Sequence, residues 1–372
     1  MAPLHFITVV WGAAYSELYL DVVLPSQLSP GNLLYFRDEG VRAAYKIYTK
    51  REDSERIRQA AIFSELSAVL PVEIILIDDV NIGEKYEALA ECHRRAIKSA
   101  DEACAALVFL SPDSIWSDGT FRNLCRAAAA GTQAVMVSGV RVVKETFVPA
   151  YAICHRGNGR ASTGIQAREL VKLSLDHLHP VTRSLFWDSA HFSTWPSHLY
   201  WAVDREGFVA RCFHLHPLMV NPSRRGLLPR NTIDDDYIAL ACPDPVALHV
   251  VEDSDELVGC EISEYNQFGS FPPRKSSALA VALWAKYHAR ANHVSFSRRT
   301  IRFHHADLSE RWRQAESRSD SVMNSIYFFL RFYIVFLGWR MVLRESAVAT
   351  KRLLTLLLGE KRVRLLRTAL KL

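Results

Sequence analysis

Several familiar signatures are missing from this 372-residue chain. It contains no GxGxxG, P-loop, GxSxG or HExxH stretch, which removes the dinucleotide-dependent dehydrogenase, kinase, common hydrolase and zincin readings. No CxxC pair occurs among Cys92, Cys104, Cys125, Cys154, Cys212, Cys242 and Cys260, and seven is an odd number. Neither a zinc ribbon nor a disulfide framework is therefore indicated. Thiols scattered through apolar stretches fit buried free cysteines in a reducing compartment. Net charge is only +5, too little to imply a nucleic-acid partner. No uninterrupted apolar run reaches the roughly 18–20 residues that a spanning helix needs. The opening residues lack the basic stretch of a signal peptide and read as a first strand. A cytoplasmic location is expected. Internal repeats and low-complexity tracts are absent as well.

What is present is an ordinary globular composition, 49% apolar and 23% charged, arranged in alternating strand and helix signals. Continuous apolar runs predict strands over 6–11, 45–48, 72–77, 105–110 and 133–137. Helical spacing predicts helices over 15–28, 54–70, 86–100 and 120–130. Such alternation implies an α/β fold, with a Rossmann-like, mostly parallel sheet and helices on both faces. Ligands of these sheets bind beyond the carboxyl ends of the strands. Gly12, Asp78, Asp79 and Asp113 all fall there. From 149 to about 270 the texture changes to aromatics, histidines and prolines, with a helix over 167–178 and short strands over 207–215 and 247–251. That composition suits the walls of a pocket. Beyond a turn at 271–275, residues 276–292 read as an amphipathic helix.

The stretch 107–124 is a buried strand, an acidic turn and a helix led by Asp118-Gly119. By itself Asp113 reads either as a ligand-binding carboxylate or as a turn acid before a helix, and Asp118 reads as an N-cap. With the strand endings Trp11-Gly12 (Tyr15 beyond), Ile47-Tyr48-Thr49 and Asp78-Asp79, residues 4–260 resemble the GT-A fold glycosyltransferases. The resemblance implies a nucleotide-sugar donor, with base and ribose held at the strand ends by Trp11, Gly12, Tyr15, Thr49, Asp78 and Asp79. It also implies an acidic motif, usually Asp-x-Asp, that binds a divalent cation and the sugar diphosphate. Here that place is taken by Pro112-Asp113-Ser114, with one carboxylate. A cation such as Mn or Mg can be held by one or two carboxylates plus waters, so Asp113 is the candidate metal ligand. Some members of the fold neutralise the leaving diphosphate with basic side chains instead, and Arg141, Arg211, Arg224 and Arg225 are the candidates.

His214 and His216 stand two apart, which on a strand directs both to one side, either as ligands or packed under a loop. The run Asp234-Asp235-Asp236 caps the helix near Tyr237 or supplies the general base that the resemblance implies, with Asp235 or Asp236 favoured. A second acidic run, 251–256, reads as a solvated loop. Trp187, Trp195, Tyr200 and Trp201 read as core or as stacking platforms.

The expected organisation is a catalytic unit, 1–270, with a nucleotide-binding half (1–150) and an acceptor half (151–270), followed by a helical region, 271–372. The tail carries nine bases from Arg340 onward against Glu345 and Glu360, and its leucines recur at helical spacing. It reads as a membrane-surface helix or an oligomer contact. The sequence therefore predicts a glycosyltransferase held peripherally at the inner face of a membrane, acting on a lipid-linked or other glycan acceptor. A nucleotidyltransferase is the rival enzyme, and a catalytically degenerate binding protein is the non-enzymatic alternative.

Overall fold

The structure, a computed structural model, describes residues 2–155 and 164–332. The tail expected to lie on a membrane falls almost wholly outside them. No helix among the described residues is long and apolar enough to cross a membrane.

In chain order the strands are β1 Leu4–Val9, β2 Ala43–Thr49, β3 Val72–Leu76, β4 Ala106–Leu110, β5 Ser114–Trp116, β6 Ala134–Val137, β7 Val140–Val143, β8 His198–Val203, β9 Gly207–Cys212, β10 His216–Val220, β11 Leu248–Val250, β12 Gly259–Ser263 and β13 Ile301–His304. Seven of them form one sheet in the order β11-β6-β10-β4-β1-β2-β3. Every pairing in it is parallel except the two made by β10. Every residue of β1 and of β4 is buried, which explains why these strands read as unbroken apolar runs rather than alternating ones.

Chain direction across the sheet positions the site. From β1 the chain steps outward through β2 to β3, then returns to place β4 on the other side of β1. Neighbouring connections diverge there, and ligands of such sheets bind at such a point, here beyond the carboxyl ends of β1 and β4. Strands β10 and β11, from the acceptor half, complete this same sheet. Two smaller sheets flank it, β5-β12-β7 and the antiparallel β13-β9-β8. A second core, formed by Trp201, Phe213, Trp284, Trp312 and Ile326 among others, packs the helical region against β8 and β9.

The expected helices are present with revised edges. The predicted 54–70 is two helices, Arg51–Gln59 and Ala61–Val69, parted by extended Ala60. The predicted 276–292 likewise breaks at extended Ala289 and Arg290 into Ala278–His288 and Ala291–Phe296. The first helix starts at Ala13 and carries a π turn over Tyr19–Val23. Strand 207–215 stops at Cys212, and strands β5, β7, β8, β10, β12 and β13 are additions to the predicted set. All seven cysteines are free.

Candidate functional site

The candidate site begins at Gly12. Its φ of +84° with ψ 144° belongs to a region open essentially to glycine, and a Cβ added there would meet nothing within 4 Å. The Gly12 N–H donates to Asp53 Oδ2 at 2.8 Å, while Ser16 Oγ donates to Oδ1 at 3.1 Å. Buried Asp53 thus fixes the turn from outside the candidate site. Tyr15, one helical turn on, accepts at its hydroxyl from Lys85 Nζ at 3.3 Å. Trp11 is half-buried and packs against the core. Thr49 is fully buried, and its hydroxyl has no hydrogen-bond partner.

At the end of β4, Ser111 Oγ donates to the Asp113 carboxylate. The backbone carbonyl of Asp113 accepts from Ile262 N at 2.8 Å, and Ser114 pairs across the ladder with Glu261 of β12. That register brings a second carboxylate beside the first. Burial pushes the Asp113 carboxyl above its ordinary value and the Glu261 charge pushes it further, while Ser111, Arg141 and Lys85 oppose the shift. Arg141 of β7 forms an ion pair with Glu261, donates to Ser263 Oγ at 2.6 Å, and lies over the Phe268 ring at 4.8 Å. Two carboxylates in a partly dry site, one raising the pKa of the other, form an arrangement that a divalent ion would relieve.

A row of imidazoles continues from this point. His198 lies close enough to feel both Glu261 and Arg141, and its pKa is lowered to about 4 by burial and by the neighbouring His214. The His214 ring is 4.5 Å from that of His293. His293 Nδ1 accepts from Arg290 N at 3.3 Å, so its Nε2–H donates to the Asp234 carbonyl at 3.1 Å. Burial holds the His293 pKa below its ordinary value. The Asp234 carbonyl, His293 and His214 are thus in direct contact, and His198 feels the charges of both His214 and Glu261.

Several sequence-based expectations are corrected. His214 and His216 do not share a strand face, because β9 ends before 214 and β10 starts at 216. His216 instead donates Nε2–H to the Phe109 carbonyl at 2.9 Å, on the side of His93. Arg211 is buried away from the candidate site, holding Ser319 at 3.2 Å, the Arg298 carbonyl at 2.8 Å and the Asp320 carboxylate. It ties β9 to the helix over 310–332. Arg225 pairs with Asp101 at 3.2 Å and caps the Ala105 carbonyl at 3.0 Å, again structurally. Asp118 is not the N-cap of the following helix. It accepts from Gly31 N at 2.7 Å, and Gly119 occupies the cap.

The remaining predicted residues are placed as follows. Asp78 accepts from Arg51 N at 3.2 Å. Asp79 lies in a bidentate ion pair with Arg95, at 3.0 and 2.8 Å. Asp235 is gripped by Arg290 at 2.6 and 2.7 Å and by Asn231 at 2.7 Å, and the Arg290 guanidinium holds its carboxyl below the usual range. Asp236 is buried and accepts weakly from Arg230 N at 3.3 and 3.4 Å. Among the described residues the Asp234 carboxylate takes part in no hydrogen bond or ion pair. The functional candidates that sequence reasoning missed are Lys85, Asp53 and Glu261. Only Glu261 left a signal, as a lone carboxylate inside the otherwise uncharged strand 259–263.

No family model and no curated protein matches the sequence. Solved structures give distant likenesses. TarS of S. aureus is 11% identical with a TM-score of 0.32, over 88% of this chain and 43% of that one. The mannosyltransferase PcManGT from Pyrobaculum calidifontis, solved with GDP-Man and Mn2+, is 12% identical with a TM-score of 0.34, over 93% and 80%. Mouse xyloside xylosyltransferase 1 is 12% identical with a TM-score of 0.27, over 44% and 63%. The chain thus spans less than two thirds of TarS and of the xylosyltransferase.

Proposed function

We propose that this protein is a glycosyltransferase of GT-A type that moves a sugar from a nucleotide-sugar donor to an acceptor hydroxyl. The observation that carries the reading is that the β12–β5 register sets Glu261 opposite Ser114, next to Asp113, where Asp113 feels the charges of Glu261, Arg141 and Lys85, beside the point where the strand order reverses. The missing second acid of the Asp-x-Asp pattern is thereby supplied from β12. In this reading the base and ribose lie along Trp11, Gly12 and Tyr15, where the backbone leaves open space. Asp113 and Glu261 would hold a Mn or Mg ion, which would supply charge against the diphosphate, and Lys85 and Arg141 would add to that charge.

For transfer, a carboxylate takes the proton of the acceptor hydroxyl, whose oxygen bonds to the anomeric carbon as the bond to the diphosphate breaks. The departing electron pair stays on the diphosphate, where the cations stabilise it. Asp234 is the member of the acid run whose carboxylate is uncommitted among the described residues, and Asp235 is held by Arg290. We therefore assign the base to Asp234, with Asp235 and Asp236 shaping the turn. The basic leucine-rich tail, read from sequence alone, favours an acceptor presented at the cytoplasmic surface of a membrane.

The test is a thermal-shift panel of UDP, GDP, CMP and dTDP sugars with and without manganese. A true donor raises the melting temperature by binding only the folded state. The expected result is one nucleotide class shifting wild type, with the manganese-dependent part lost in Asp113→Asn. Absence of a shift with every donor in both conditions would return the protein to the non-enzymatic reading.

A further inference from the structure

The aromatic residues between 187 and 201 divide sharply. Tyr200 and Trp201 are core side chains, and Trp187 stacks on Trp201 at 6.1 Å. Trp195 instead is 50% exposed, although a buried position would remove a large apolar area from water. It lies with its ring 4.4 Å from His288 and 5.4 Å from Trp284, edge-on to the latter. Trp284 and His288 are themselves stacked at 5.8 Å, one turn apart on the helix Ala278–His288. His214 closes the group, 5.8 Å from Trp284 and 4.5 Å from His293. The exposed indole thus belongs to the same row of rings that leads to Asp234.

A second observation concerns hydrogen bonding. Trp284 is 8% exposed, and its Nε1–H has no hydrogen-bond partner. His214 Nε2 has none either. Buried polar atoms are almost always paired, and these two donors or acceptors beside an exposed indole match a ligand that brings hydroxyls. Both atoms are closed to water as the rings stand. The matching chemical class has an apolar C–H face for the indole and hydroxyls at its rim, which describes a pyranose ring. The nearby carboxylates Asp234, Asp235 and Asp236 stand against Arg230 and Arg290, a balance that disfavours a phosphorylated ligand.

We infer that Trp195, with Trp284, His288 and His214, forms the binding subsite for a sugar ring of the acceptor, so that the acceptor is a glycan. This rests on the transferase reading for its role, though not for the binding itself. The experiment titrates the full chain with maltotriose, cellotriose, chitotriose and mannotriose, read by tryptophan fluorescence and saturation-transfer NMR. Wild type should bind at least one of these through its ring C–H protons. Trp195→Ala should weaken that binding at least tenfold, and Trp195→Phe should restore most of it. The thermal shift produced by the donor should be the same in all three proteins.

Equal glycan binding by wild type and Trp195→Ala, or no binding of any trisaccharide, overturns the inference. Displacement of a bound nucleotide rather than of a glycan by the Trp195→Ala change overturns it too, by assigning the shelf to the nucleobase. If trisaccharides bind through Trp195 while no donor shifts the protein, the shelf stands and the transferase reading fails. If the donor binds and Trp195 proves irrelevant to glycans, the reverse holds.

Discussion

Asp113 and Glu261 meet near the end of β4, whereas Asp253 and Asp255 meet His304 beside β13. By ligand spacing alone the second cluster is the better metal site, since its three donor atoms lie within 4.8 Å of one another. Its charges, however, are already balanced from within the chain. His304 donates Nδ1–H to the Ala306 carbonyl at 2.8 Å and holds Asp253 through Nε2 at 2.8 Å. Arg168 clamps Asp255 at 2.9 and 2.7 Å and reaches Asp307 at 2.7 Å. The consequences appear in the directions of the pKa shifts. His304 lowers the Asp253 pKa, and Asp253 raises that of His304, while burial and Glu261 push Asp113 the other way. Proximity of acids therefore does not identify a functional site. A carboxylate whose pKa the fold raises, as burial and Glu261 raise that of Asp113, is the better guide, because the fold does not favour its charged form.

The largest expected effect breaks the symmetry between the clusters. Asp113→Asn and Glu261→Gln should each reduce transfer by roughly 10²–10³-fold, the usual scale for losing a preorganised charge. Asp253→Asn should leave the rate within about threefold, because the reading places no step there. Comparable losses in both clusters, measured as donor turnover by purified protein, would undo the distinction.

Stability should run in the opposite sense. A folded carboxyl raised above its unfolded value of about 3.9 contributes fully below that pH and loses its contribution as pH rises through the folded value. Ionising Asp113 therefore costs stability, and Asp113→Asn should raise the denaturant midpoint at any pH above the folded value. His304→Ala should lower the unfolding free energy by about 1–3 kcal/mol, the scale for removing a buried hydrogen-bonding group. The pH dependence of that loss has two edges. The depressed Asp253 supports folding above about pH 3.9 and loses that effect as pH falls through its folded value. The raised His304 supports folding below about pH 6.5 and loses that effect as pH rises through its folded value. The difference between wild type and His304→Ala should thus be greatest between roughly pH 4 and 6.5. A flat difference from pH 4 to 9 would mean that packing alone holds the cluster.

Much of this contrast was hidden in the sequence for a physical reason. Burial on both faces made β1 and β4 legible as apolar runs, and the acids at their ends followed from chain direction. Glu261 reaches Asp113 only through the pairing of β12 with β5, 147 positions apart in the register Glu261↔Ser114, and no local pattern encodes that. The histidines misled for a related reason. The spacing of His214 and His216 fits one strand, but the chain turns between β9 and β10, and their rings part company. Arg211 looked available because charge is visible in a sequence and burial is not. Its partner Asp320 lies 109 positions away. The acid run was legible as a cluster, while its division into Asp235 held by Arg290 and Asp234 left uncommitted required the helix that supplies Arg290.

The smallest effect on folding makes the sharpest test of charge balance. Arg168 is largely exposed, with 43% of its side chain accessible, and exposed ion pairs contribute little to stability because water screens them. Arg168→Ala should therefore leave the melting curve near that of wild type without added metal. It would, however, release Asp255 from both guanidinium bonds, leaving His304 Nε2 at 3.8 Å and Asp253 close by. At pH 8, where a neutral imidazole can act as a ligand, zinc should then stabilise Arg168→Ala more than wild type. The added stabilisation should vanish when Asp253→Asn is combined with it, which excludes binding elsewhere. If wild type responds to zinc as strongly as Arg168→Ala, and Asp253→Asn abolishes both responses, then the chain's own cations do not close this cluster. Charge balance would then cease to separate it from the site at Asp113.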